Sequence, residues 1–193
     1  MPAPGGTRRT PVQVLRAALG VLRRHARTAY LVALTAALVN AVPDVLRQVL
    51  VWDDPRLGAA LAVDVLGFAT GLIAQLWVTG ALVGLPADRG AAPAGALRRG
   101  VSLAVRAVRR APGTVLAGVV AGGAVSALLT IPASVAALGF DRVLGPLDAP
   151  GVGAFTVATV SDLVASTVTL PFLAVVVVLV AGSPSGRPGT SRA

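Results

Sequence analysis

Cysteine is absent from the 193 residues, and so are lysine and glutamate. Without cysteine there is no disulfide, no thiol nucleophile and no thiolate metal site. Without lysine there is no phosphate loop of the Walker kind. The single histidine, His25, cannot by itself make a multi-histidine metal centre. The acids are eight aspartates, too few and too scattered for a paired-carboxylate, Ser–His–Asp or metal-cluster site. The chain is therefore read as non-enzymatic, with no catalytic, cofactor-binding or metal-binding residue assigned. Aromatic residues are 4% of the chain, and none stands between the arginines to stack on a base. That argues against nucleic acid as the partner of a chain carrying a net charge of +9.

Apolar residues fill the space that these absences leave. They make up 55% of the chain and charged residues 13%, with a mean hydropathy of +0.80. A soluble domain has nearer ~45–50% apolar and ~25% charged. Ala, Val and Leu (37, 32 and 27 residues) are half of the total. The composition points to a membrane. The Ala/Val/Arg/Gly/Pro bias, with two isoleucines, points to a GC-rich bacterial genome such as an actinobacterial one.

Residues 1–10 are basic and rich in Pro and Gly, and read as a disordered terminus. Residues 11–27 place Val12, Leu15, Leu19 and Leu22 at spacings of three and four, with Arg16, Arg23 and Arg27 mostly on other faces. Pro11 suits a helix start. This is a basic amphipathic helix of the interfacial kind. A bilayer core of ~30 Å takes ~20 helical residues. Four stretches meet that length, at roughly 28–50, 60–84, 113–138 and 155–181. Tyr30 and Trp52 flank the first, as in an aromatic belt. The valine run of 175–178 reads as helix, since a lone strand leaves its backbone unpaired in lipid. Between the second and third spans, Leu97, Val101, Ala104, Val105 and Val108 mark a second basic amphipathic helix. Residues 182–193 read as a disordered tail. The expected fold is all-α: a polytopic bundle of four transmembrane helices plus two interfacial ones, forming one membrane domain over 11–181. Two readings of its order stand: a duplication of 11–85 and 93–181, or the common look of hairpins with basic flanks.

Charge sets the orientation. Fourteen arginines fall before the first span, between the second and third, and in the tail, with Asp88 beside them. Only Arg47, Arg56 and Arg142 fall on the other side, with Asp44, Asp53, Asp54, Asp141 and Asp148. The positive-inside rule places both termini in the cytoplasm of a bacterial inner membrane. The first apolar run starts near residue 28, too deep for a cleavable signal peptide.

Asp64 and Asp162 are the only acids inside apolar stretches. Either they face protein or water and carry protons or a cation, or they sit at the outer interface as structural groups. Gln75 shares a face with Gly67 and Gly71 and can hydrogen-bond across helices. The pairs Gly67–Gly71, Gly80–Gly84 and Gly118–Gly122 have the spacing that lets backbones approach in lipid, within one chain or between copies. The clusters holding Arg23, Arg24, Arg109 and Arg110 either set topology alone or also bind anionic lipid headgroups. His25 reads as solvated, with no acid near it in sequence.

Three segments carry a resemblance: VLRAALGVLRRHARTAYLVAL at 14–34, GALRRGVSLAVRAVRRAPGTVLAG at 95–118 and LLTIPASVAALGFDRVLGPL at 128–147. With them the chain resembles bacterial, largely actinobacterial, polytopic membrane proteins related to the membrane domain beside glycerophosphodiester phosphodiesterases. Longer members carry further spans that this chain does not have. The resemblance implies a membrane protein with no phosphodiesterase residue to carry over, because that chemistry belongs to a separate domain. The expected function is a non-enzymatic interaction or membrane-organising module. Its partners would be the bilayer, anionic headgroups, another membrane protein or a second copy. The alternative is a small transporter or channel subunit using Asp64 and Asp162.

Overall fold

A computed structural model describes residues 9–51, 57–138 and 152–183. The expectations for most of the N-terminal segment, the turn at 53–56, the loop at 139–151 and most of the tail lie outside these residues. Among the described residues the fold is all-helical, with six α-helices and no strand. They are α1 (Pro11–Arg24), α2 (Ala26–Val51), α3 (Leu57–Ala81), α4 (Ala96–Arg110), α5 (Pro112–Leu138) and α6 (Val152–Gly182). A short 3₁₀ turn, Leu85–Ala87, follows α3. The helices α2, α3, α5 and α6 are each long and apolar enough to cross a membrane. Pro43, Pro132 and Pro171 sit inside three of them; neighbouring helices make such prolines tolerable in lipid.

Helix α1 starts on a reciprocal cap. Thr10 Oγ1 accepts from the Gln13 amide at 3.4 Å, and the Thr10 amide donates to Gln13 Oε1 at 2.9 Å. Pro11 takes the first turn, where its missing N–H costs nothing. One residue, His25, breaks the path between α1 and α2. One residue, Ala111, does the same between α4 and α5, and Pro112 opens the next helix. Both halves of the chain thus run as a short basic helix, a one-residue joint and two long apolar helices.

The centre of the bundle is α6, which packs against all five other helices. Its run Ala174–Val178 is buried without a break. A helix buried on every side needs apolar residues on every side, and the valine run supplies them. Ala29, Ala33, Ala36 and Ala37 present a small-residue face of α2 to this centre, and Val78 and Leu82 join from the end of α3. The short helices complete the same end. Val14, Ala18 and Leu22 bury one face of α1, and Ala96, Gly100 and Ala107 one face of α4. In contrast Val65, Leu66, Phe68 and Val160, towards the opposite end of the spans, are exposed. The packed core therefore gathers at the arginine-rich end.

On both short helices the row that packs on the bundle lies beside the apolar stripe read from the sequence. On α1 the buried row is Val14–Ala18–Leu22, while Val12 and Leu19 stay exposed. On α4 the buried row is Ala96–Gly100–Ala107, while Leu97, Val101, Val105 and Val108 stay exposed. The reason is steric. On α4 small side chains let the helix backbones approach, so the small-residue face takes the contact over the larger apolar one.

Candidate functional site

The site is built on the crossing of α3 and α4. A Cβ added at Gly100 would lie 1.8 Å from the Leu76 carbonyl oxygen, and one at Gly80 would lie 1.8 Å from that of Ala96. Each glycine thus points a Cα–H at a carbonyl of the other helix, and the backbones are in direct contact. Such contacts contribute ~0.5–1 kcal/mol apiece. No larger residue fits either place.

Arginine side chains then lock the collar. Arg99 Nε donates to the Gly80 carbonyl at 3.3 Å and Nη1 to that of Ala94 at 2.6 Å, while Nη2 holds that of Ala92. Arg110 Nη1 donates to the carbonyls of Ala181 and Ser183, the latter at 3.0 Å, and so closes the end of α6. Helix C-termini leave carbonyls unpaired and carry partial negative charge, and a guanidinium answers both. Arg99 and Arg110 share the face of Ala96, Leu103 and Ala107, which is why they turn inward. The other arginines of α4 (Arg98, Arg106 and Arg109) are exposed. Among the described residues they make no hydrogen bond or ion pair. Arg23 on α1 is likewise exposed.

His25 is not simply solvated. Its Nε2–H donates to Asp88 Oδ1 at 3.1 Å, because a carboxylate can only accept. Arg24 Nη1 stands 3.5 Å from the same oxygen. Asp88 reaches them from a left-handed backbone, φ 54°, which aspartate tolerates better than most residues. The joint between α1 and α2 is thereby tied to the turn after α3. A reading along the chain misses this pair, since its members are 63 residues apart.

Deeper in the bundle, Gln75 Nε2 donates to Thr79 Oγ1 and to the Leu170 carbonyl of α6, both at 3.3 Å. This is the cross-helix bond its face allows. Gly71 faces Asn40 of α2, whose Oδ1 is buried with no hydrogen-bond partner among the described residues. Gly67 stays on α3 and its carbonyl accepts from Thr70 Oγ1 at 2.9 Å. Gly118 sits against Val176, which a Cβ would approach to 3.1 Å. Gly122 meets nothing within 4 Å. Gly84 lies beyond the end of α3 in the turn, where a Cβ would crowd Gly90 O at 2.9 Å. It therefore works in the turn rather than in a row with Gly80.

The two acids of the apolar stretches stand on different helices, Asp64 on α3 and Asp162 on α6. Asp162 is exposed on α6. Asp64 lies on α3, and its side chain is outside the described ones. A groove of about 420 Å³ between α5 and α6 is lined by apolar residues with Thr156 and Ser161, and Asp162 is not among the described residues that line it. No family model, no curated protein and no solved structure matches the chain.

Proposed function

We propose that the chain is a multi-pass protein of a bacterial inner membrane, with both termini in the cytoplasm, acting as a non-enzymatic membrane-organising module. The observation that carries this reading is the collar. One short basic helix, α4, is fixed to the span ends by backbone contact at Gly80 and Gly100 and by arginine–carbonyl bonds at Arg99 and Arg110, and the joint after the other, α1, is tied to the turn after α3 through Asp88. A rigid basic platform at one end of a bundle suits holding a surface or a partner.

The test is transport. In proteoliposomes the purified chain is expected to conduct no proton or cation flux above empty vesicles. A flux that disappears on combining Asp64→Asn with Asp162→Asn would overturn the module reading and establish a transporter.

A further inference from the structure

Helix α4 has three faces, and the packing uses one of them. The first holds Ala96, Gly100, Leu103 and Ala107 against the bundle, with Arg99 and Arg110 at its edges. The second is an apolar stripe, Leu97, Val101, Val105 and Val108, each between 42% and 50% exposed. The third, next to the stripe, carries Arg98, Arg106 and Arg109 around Ser102, all exposed. The spacing of each set, at steps of three and four, keeps it on one side of the helix.

Three anchors set the height of α4 against the spans. Gly100 touches α3 at Gly80, one residue before that helix ends at Ala81. Arg110 holds the carbonyl of Ala181, next to the last residue of α6. Ala111 alone separates α4 from the start of α5. The helix therefore lies at the level where three spans leave the apolar layer. At that level an apolar stripe reaches the acyl boundary while an arginine row beside it reaches the headgroups.

We propose that this outer half of α4 is a docking surface for the anionic lipid leaflet, with phosphate headgroups held by Arg98, Arg106 and Arg109. Guanidinium groups bind phosphate oxygens in pairs of parallel N–H bonds, which a point charge cannot do. The assignment narrows the arginine clusters read from the sequence. Arg110 is committed to the end of α6, and Arg24 faces Asp88. Of Arg109 and Arg110, only Arg109 keeps an exposed guanidinium without a partner among the described residues. The inference rests on the membrane-module reading and names its partner.

The test uses the full chain, reconstituted in phosphatidylcholine vesicles with and without phosphatidylglycerol. Since the chain has no cysteine, Val105→Cys carries a single environment-sensitive label. The label is expected to be quenched by a shallow lipid-borne quencher and protected from aqueous iodide. Replacing Arg98, Arg106 and Arg109 together with Gln is expected to lower the preference for phosphatidylglycerol over phosphatidylcholine by about a hundredfold. That corresponds to about fivefold per charge. Replacing Arg8, Arg9 and Arg187 with Gln removes as much charge and is expected to change it far less. An unchanged thermal midpoint in detergent shows that the α4 variant is folded. Iodide quenching of the label, its burial between two crosslinked copies, or an unchanged lipid preference in the folded variant would each overturn the proposal. None of these readouts depends on flux, so a failed module reading and a failed lipid surface are told apart.

Discussion

Gly80 and Gly100 show how little side chain the collar can accept. A methyl at Gly100 would stand 1.8 Å from the Leu76 carbonyl oxygen, and backbone cannot yield as a flexible side chain does. Gly100→Ala is therefore expected to cost about 1–3 kcal/mol as the helices are forced apart. Gly122→Ala meets open space. It is expected to be neutral or to stabilise by up to ~1 kcal/mol, the helix cost of glycine. Thermal unfolding in detergent of the two variants against the parent measures both. Similar losses at both positions would contradict the crossing. Gly100 is not legible from hydropathy, because the large apolar residues of α4 lie on another face. The signal was there in the row Ala96–Gly100–Leu103–Ala107, which also contains Arg99 and explains why that arginine turns inward.

The existence of each helix was readable from apolar length and arginine spacing, because lipid leaves a spanning backbone few ways of pairing its polar groups. Which side of α1 and α4 packs was less readable, since hydropathy ranks Leu and Val above Ala and Gly while close packing ranks them below. The joints were not readable at all. His25 works at the α1–α2 joint through Asp88, brought near only when α3 returns to the same end of the bundle. Asp88 is 65% exposed at its side chain, so water weakens the pair. A double-mutant cycle of His25→Ala with Asp88→Ala is expected to give a coupling below about 1 kcal/mol that falls with added salt. Zero coupling at low salt would place the tie outside the energetics of the joint.

Across the whole molecule the two ends of the bundle are unlike. One carries the buried valines of α6, the alanine face of α2 and both short helices; towards the other, residues such as Phe68 and Val160 remain exposed. The described arginine side chains have the same polarity, standing on and just before α1, on α4, at the start of α2 and in the turn after α3, all at the packed end. The architecture was thus largely legible from the sequence, while the division of arginines into anchors and free charges needed the fold. Asp64 and Asp162 remain the residues through which a transporter would have to act. The central claim is that the chain crosses the bilayer four times with the collar on the cytoplasmic face. Single-cysteine accessibility in intact cells tests it most directly. Cysteines at Asp54 and Asp148 are expected to react with an impermeant maleimide from outside, and a cysteine at Ser102 only after the membrane is opened. Labelling at Ser102 in intact cells would contradict it.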